Sequence, residues 1–196
     1  FIIFATMTPD YYFPGCGVQV QNELGIKDIG ALDVRNQCSG FIYALSVADK
    51  FIKTGTYKNI LVIGAELHSG GLDKTPRGRD VSVIFGDGAG ALILSRTDEN
   101  KGILSTHLHS DGKYAEELAV VGPSPRHGIG KNNHWIKSVQ DKPEETFYFP
   151  YMNGKSVFKH AVFRFSDVIT EGLVANQLKP SDVNLSHDNI SANLLK

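Results

Sequence analysis

The sequence predicts an α/β protein with a mostly parallel sheet covered by helices, and three observations lead to this class. Residues 1–6 and 59–66 are unbroken apolar runs, which are typical of strands buried on both faces. Between them, residues 41–52 place their apolar side chains on one face of a helix. Strand, helix and strand in close succession indicate a parallel sheet with helices packed against it.

Each element of residues 1–100 is bounded by residues that favour turns. Proline and glycine interrupt the apolar runs, and a glycine just past the last periodic residue ends a helix. In chain order the sequence predicts a strand at 1–6, a loop rich in proline, a weak helix from Gly15 to Leu24, a strand at 31–34, the helix at 41–52 that Gly55 ends, the strand at 59–66, and two apolar runs within 81–95 that a glycine-rich turn separates.

Residues 101–196 have a more polar pattern. A strand that ends in a turn is expected at 102–112, and a helix with one apolar face at 152–178. Between them, residues 122–146 are polar and rich in glycine and proline, which predicts a long functional or mobile loop. We therefore expect two regions, residues 1–100 and residues 101–196.

The composition is that of an ordinary globular protein, with 41% hydrophobic residues and a formal net charge of −1. This charge argues against nucleic acid as a partner, since nucleic acid requires a basic surface. No apolar run approaches the about 20 residues of a membrane span, and no basic region precedes the first run as in an export signal. We therefore expect a cytoplasmic protein in which Cys16 and Cys38 are thiols.

Cys38 lies in the segment DVRNQCSGFIYALSVADKFI (33–52), between the short strand and the start of the helix. At this position the unpaired N–H groups of the first helical turn and the positive end of the helix dipole favour a nucleophilic thiolate. The arrangement suggests acyl transfer through a thioester. A small buried residue of the core is the alternative that the position alone leaves open.

Several separated blocks resemble the β-ketoacyl-acyl-carrier-protein synthase III family of the thiolase superfamily. They are ATMTPDYYFPG (5–15), the continuous segment from Asp33 to Glu66, FGDGAGALIL (85–94), LSTHLHSDG (104–112) and MNGKSVFKHAV (152–162). The resemblance implies a thiolase-like layered αβαβα architecture, of which this chain carries the central part. Residues 1–100 would end the N-terminal half, and residues 101–196 would begin the C-terminal half.

The resemblance implies an acyltransferase that initiates type II fatty-acid synthesis. Cys38 would accept an acyl group from a short acyl-CoA, and condensation with malonyl-acyl-carrier protein would release CO2. The coenzyme A thioester is then a substrate, and no cofactor or metal is implied. The family is homodimeric, and Phe13 matches the aromatic residue that caps the acyl pocket of the partner. An ordinary loop aromatic is the alternative for Phe13.

Five further residues are candidates for four substrate-binding positions of the family. Arg77 or Arg79 matches the arginine that stacks on the adenine of coenzyme A, and the spacing leaves open which of the two does so. Phe85 and Met152 match pocket-lining positions, and core packing is the alternative for both. Lys159 matches a basic position where an acidic carrier protein docks, and a solvated surface charge is the alternative for the lysine and the arginines.

The family also uses a histidine and an asparagine to stabilise the charge formed on decarboxylation. His187 is the candidate histidine, but it comes earlier than the His-Gln-Ala-Asn block of the family. Aligning residues 192–194 with Ala-Asn-Leu instead puts Ile190 at the histidine position. We interpret the sequence as an incomplete record of a longer synthase, and a short form that is acylated but cannot condense is the alternative.

The remaining motifs have ordinary interpretations. GDGAG (86–90) lacks the Lys-Ser/Thr of a phosphate loop and is expected to form a tight turn beside the active site. The other histidines, at 68, 107, 109, 127, 134 and 160, are expected to be structural. His107 and His109 would share one face of a strand, but no third metal ligand accompanies them. A condensing enzyme of secondary metabolism and a non-condensing acyl-CoA-binding subunit are the alternative functions.

Overall fold

The computed structural model describes residues 1–99, 101–120 and 149–183. The predicted loop at 122–146 and His187 lie outside these residues. The chain divides into two compact units, which are Phe1–Gly70 with Phe85–Ile103 and Gly71–Ile84 with Leu104–Lys196. The division of the complete fold into residues 1–100 and 101–196 stays a prediction.

A four-stranded sheet forms the centre of the first unit. Its strands are β1 (Ile2–Ala5), β2 (Ala31–Val34), β3 (Asn59–Glu66) and β4 (Gly88–Ser95), in the order β2-β1-β3-β4. β1 runs parallel to β2 and to β3, whereas β4 is antiparallel to β3. The predicted mostly parallel sheet is therefore confirmed, with one antiparallel edge.

Two helices connect the parallel strands. Helix α1 (Cys16–Glu23) connects β1 to β2, and helix α2 (Gly40–Lys53) connects β2 to β3. The core lies between α2 and one face of the sheet, and its buried members are Ile3, Ala5, Ala44, Ala48, Ile60 and Val62. Two alanines one turn apart let the backbone of α2 approach the sheet closely. The apolar face predicted for residues 41–52 is confirmed.

Helix α1 is capped by a residue of a neighbouring strand. The carboxylate of Asp33 on β2 accepts hydrogen bonds from the N–H groups of Cys16 at 2.6 Å and Gly17 at 2.9 Å. A negative charge at this end of a helix satisfies unpaired donors and complements the helix dipole. Gly15 is required here, since a Cβ at that position would lie 2.3 Å from Cγ of Asp33.

The glycine-rich segment at 86–90 differs from its prediction. Gly88 and Gly90 are strand residues of β4, paired with Glu66 and Gly64 of β3, so the expected tight turn is wrong for them. The apolar run before this segment forms no strand, because helix α3 (Arg79–Ser82) and a loop occupy it. Pairing with β3, which is distant in sequence, fixes the conformation of the glycines.

The second unit contains α3, the antiparallel strands β5 (Leu118–Ala119) and β6 (Tyr151–Met152), and helix α4 (Gly154–Ala175). The helix predicted at 152–178 is confirmed, and its ends lie within three residues of the predicted ones. The strand predicted at 102–112 is wrong, since these residues pair with no strand in the part of the chain that the structure describes. Among the described residues, no helix is long and apolar enough to cross a membrane.

Candidate active site

Cys38 lies in a 3₁₀ turn, Gln37–Ser39, that leads directly into α2. The preceding Gln37 has a φ of 46°, a left-handed conformation that costs energy in a residue with a Cβ. The hydroxyl of Ser39 donates a hydrogen bond to the carbonyl oxygen of Asn36 at 3.2 Å and so closes the turn. The turn therefore presents the cysteine at the helix start, where the sequence predicts it.

Cys38 is exposed and is therefore not the buried core residue that its position alone also allowed. It lines a cavity of about 380 Å³ in the first unit. The first N–H groups of a helix have no carbonyl partner within that helix and carry the positive end of its dipole. A thiol at this position can attack an electrophile held in the cavity, while nearby N–H groups stabilise an oxygen that becomes negative.

The cavity walls come from three strands and the start of α2. Ala5 and Gly64 are partners on β1 and β3 near the carboxyl ends of these strands, which is the edge where parallel sheets bind ligands. Phe41 of α2 packs over Gly64, where a Cβ would lie 2.9 Å from the ring. Phe85, a predicted pocket-lining residue, and residues 88–90 of β4 also line the cavity.

Three polar cavity residues, Gln37, Glu66 and His68, are missing from the sequence-based set. The carboxylate of Glu66 accepts hydrogen bonds from the N–H of Met7 at 2.9 Å and the hydroxyl of Thr8 at 2.7 Å. The side chain of His68 is 15% exposed, and its ring centroid lies 4.9 Å from that of Phe85. Alternation along β3 is the signal that could have found Glu66, since Ile60, Val62, Gly64 and Glu66 share the face that contacts α2.

The segment that carries Phe85 is tied to the end of β3. The carboxylate of Asp87 accepts a hydrogen bond from the N–H of Ser69 at 2.7 Å. Hydrogen bonds from the side chain and the backbone of Ser69 hold the pKa of Asp87 below its usual value. This contact joins the chain on both sides of the cavity wall that Phe85 and His68 form.

Arg77 and Arg79 belong to the second unit and are held differently. Nε of Arg77 donates to Oδ2 of Asp73 at 2.6 Å, and the hydroxyl of Thr75 donates to Oδ1 at 2.6 Å. The hydrogen bonds from Thr75 and Arg77 lower the pKa of Asp73 to about 2. Arg79 is 78% exposed and lies 3.8 Å from the exposed carboxylate of Asp80. The aspartate therefore fixes Arg77 but not Arg79.

Phe13, Met152 and Lys159 are not among the residues that line this cavity. Phe13 is 87% exposed in the loop after β1. Met152 is half-buried on β6 and Lys159 is exposed on α4, both in the second unit. The structure therefore places Cys38 and Phe85 on one cavity, and the roles of the remaining residues stay predictions.

His107 and His109 share an acidic partner on α4. Oε1 of Glu171 lies 3.0 Å from Nδ1 of His107, and Oε2 lies 2.6 Å from Nε2 of His109. Hydrogen bonds from His109 and His107 lower the pKa of Glu171. Within the described residues, no group of three or more His, Cys, Asp or Glu side chains could hold a metal ion.

Comparison with known proteins gives the family. A family model described as 3-Oxoacyl-[acyl-carrier-protein (ACP)] synthase III matches residues 32–112. The chain is 44% identical over 182 residues to the β-ketoacyl-[acyl-carrier-protein] synthase III of Aliivibrio fischeri, which covers 93% of this chain and 51% of that protein. The crystal structure of 3-oxoacyl-[acyl-carrier-protein] synthase III from Aquifex aeolicus VF5 matches with a TM-score of 0.76 and 36% identity, over 94% of this chain and 51% of that one.

A second crystal structure, that of the synthase III from Thermus thermophilus, has a TM-score of 0.79 and 33% identity, over 94% of this chain and 52% of that one. These matches confirm that the described α/β layers are the central part of the thiolase-like fold. The chain spans about half the length of the curated relatives it matches. Over that half, sequence and fold place it in the β-ketoacyl-[acyl-carrier-protein] synthase III family.

Proposed function

We propose that the protein is a condensing enzyme that initiates type II fatty-acid synthesis and that Cys38 carries the acyl group. The observation that supports this most directly is an exposed cysteine at the start of α2 on the wall of a cavity of about 380 Å³. The names of the relatives support the reaction class, because they are β-ketoacyl-[acyl-carrier-protein] synthases III. The position of Cys38 supports its role as the nucleophile.

In the first half-reaction, the Cys38 thiolate attacks the carbonyl carbon of a short acyl-CoA. A bond forms between Sγ and this carbon, the carbon–sulfur bond to coenzyme A breaks, and the released thiolate takes a proton from solvent. The N–H groups at the start of α2 stabilise the oxyanion of the tetrahedral intermediate. Phe85 lines the space that the acyl chain occupies.

In the second half-reaction, malonyl-acyl-carrier protein loses CO2 and its α-carbon attacks the acyl thioester, which releases Cys38 as a thiolate. Lys159, exposed on α4, is the proposed contact for the acidic carrier protein. His187 is the proposed stabiliser of the enolate charge that decarboxylation produces. Met152 is proposed to line the acyl pocket of the complete protein.

Coenzyme A enters this scheme as a substrate, so the reaction uses no bound cofactor. Arg77 is the better supported of the two arginines for its adenine, because Asp73 already fixes the guanidinium that would stack on the base. We also propose a cytoplasmic homodimer. The free thiols of Cys16 and Cys38 suit a reducing compartment, and Phe13 is exposed as a residue that packs on a second copy would be.

Intact-mass spectrometry after incubation with acetyl-CoA tests the first half-reaction. We expect a mass increase of one acetyl group that is lost in Cys38→Ala. Cys16→Ala is the matched control, since Cys16 is buried and burial raises the pKa of its thiol, so this variant should still be acetylated. An adduct that persists in Cys38→Ala, or no adduct at all, would contradict the proposal.

Adding malonyl-acyl-carrier protein to the acetylated protein tests the second half-reaction. Loss of the adduct with release of a β-ketoacyl-carrier protein is the expected result. An adduct that forms but is not consumed would instead support the alternative of an acyl-CoA-binding subunit that does not condense.

A further inference from the structure

His68 lies two residues beyond the end of β3 and lines the same cavity as Cys38. On the face of β3 that contacts α2, Ile60 and Val62 are buried in the core, and Gly64 leaves room for Phe41 of α2. Beyond Gly64 the alternate residues are polar, first Glu66 and then His68, and both line the cavity. The apolar surface that packs against α2 is therefore followed by two polar side chains that line the same cavity as the cysteine.

The ring of His68 is held in place from two sides. Its centroid lies 4.9 Å from that of Phe85 at an angle of 48°, and its side chain is only 15% exposed. Nε2 lies 3.9 Å from Oε2 of Glu66, which is too far for a hydrogen bond. Glu66 is itself fixed by Met7 and Thr8. The imidazole is therefore oriented by packing and by a nearby negative charge.

The ring nitrogens of His68 are available to a molecule in the cavity. Among the described residues, neither nitrogen makes a hydrogen bond, and the thiol of Cys38 is not hydrogen-bonded to the ring although both line the cavity. An imidazole has at least one N–H donor in either protonation state. Because His68 and Cys38 line the same cavity, such a donor can contact a group attached to the nucleophile.

We propose that His68 determines primer specificity by donating a hydrogen bond to an oxygen substituent on the acyl chain bound to Cys38. The inference rests on the proposed function, since it concerns the acyl group of the same thioester. It names the substrate class as short acyl-CoA thioesters that carry a hydroxyl or keto group. A purely aliphatic primer of the same length leaves this largely covered donor unsatisfied, which weakens its binding.

Competition between 3-hydroxybutyryl-CoA and butyryl-CoA tests the inference, because both have four-carbon chains. Intact mass gives the ratio of the two acyl adducts on Cys38 in each protein, so the ratio is independent of the amount of active protein. We expect the native protein to favour the hydroxylated primer about fivefold, as one net hydrogen bond allows. His68→Leu should abolish or reverse this preference, and His68→Asn, which keeps a donor, should retain part of it.

His160→Leu is the matched control, since it makes the same exchange at a histidine of the other unit and should keep the native ratio. Equal adduct ratios in the native protein and in His68→Leu would overturn the role of His68 while leaving acylation of Cys38 intact. A native protein that prefers butyryl-CoA would overturn it as well. Absence of both adducts would instead count against the proposed function.

Discussion

Helices α2 and α4 show two different ways in which this protein holds a helix. In α2 the buried residues are Gly40, Ala44, Ala48 and Asp49, so the helix packs closely on the sheet. The longer α4 has no buried residue, and Phe158 and Phe163 are 69% and 60% exposed. Both sequences have an apolar face at helical spacing. The spacing predicts a helix in each case but not how much of the face is covered.

In α4 the apolar face is at most half-buried, and polar contacts at its surface join it to its neighbours. Glu171 contacts His107 and His109, and Arg164 lies 3.2 Å from Asp111. Asn176, at the end of α4, donates a hydrogen bond to the hydroxyl of Ser105 at 2.7 Å. These contacts join α4 to the segment that precedes β5. Because close packing of small residues leaves little room for movement, we expect α2 to hold a nucleophile at its start in a fixed position.

The largest expected effect is the loss of a core side chain beneath α2. Ile60→Ala should lower the free energy of unfolding by about 2–5 kcal/mol, because it leaves a cavity against Ala44 and Ala48. Phe163→Ala on α4 is the matched deletion of an exposed side chain and should cost less than about 1 kcal/mol. Urea denaturation of both variants measures the difference. Equal losses would contradict the contrast between the two helices.

A smaller effect is expected from a methyl group added between α2 and β3. Gly64→Ala would place a Cβ 2.9 Å from the ring of Phe41. To make room, either the ring must move into the cavity or the start of α2 must move away from β3. Overpacking of this kind costs about 1–3 kcal/mol. We expect slower acylation of Cys38 together with lower stability. Gly112→Ala, with no atom within 4 Å of its added Cβ, is the control and should change neither quantity.

The sequence predicts the elements whose local pattern is strong. β1, β2, α2, β3 and α4 all lie where their apolar spacing puts them, and Cys38 lies at the predicted start of α2. The failures depend on pairing between distant segments. β4 takes its place from the register of Gly90 opposite Gly64, and residues 102–112 alternate like a strand without a partner strand among the described residues.

The residues of the candidate site also differ in whether a local sequence signal identifies them. Cys38 and Phe85 could be chosen from motifs, because a helix start and a family block are local signals. For Glu66 the only signal is the alternation along β3, and His68 has none, because which residues line the cavity with Cys38 depends on how β3 packs against α2. A sequence window shows that these residues are polar, but only the sheet shows that they line a cavity.

The first turns of α1 and α4 are capped by different numbers of hydrogen bonds. Asp33 accepts two hydrogen bonds from the first turn of α1, at 2.6 and 2.9 Å. Asn153 accepts one from the N–H of Ser156 at the start of α4, at 3.4 Å. Asp33→Ala should therefore cost about 1 kcal/mol, and Asn153→Ala clearly less. Thermal unfolding of the two variants measures both losses, and a larger loss for Asn153→Ala would contradict this order.

The smallest expected effect concerns the polar contacts of α4 and depends on pH. The folded pKa of Glu171 is lowered by His109 and His107 from an ordinary value of 4.5. A lowered folded pKa stabilises the protein above the unfolded pKa, and this contribution is lost as the pH falls through the folded pKa. Glu171→Gln should therefore be less stable than the native protein at pH 7, and the gap should close on acidification below about 4.5.

Thermal unfolding from pH 7 to pH 3.5 measures this gap. Glu23→Gln removes one carboxylate from the exposed end of α1 and controls for the change in net charge. The difference in stability from the native protein should be smaller for Glu23→Gln than for Glu171→Gln. The effect should be a fraction of that of Ile60→Ala, because Glu171 is 44% exposed and solvent screens its partners. A gap that widens as the pH falls would mean that the protonated carboxyl, rather than the carboxylate, holds α4 to residues 105–111.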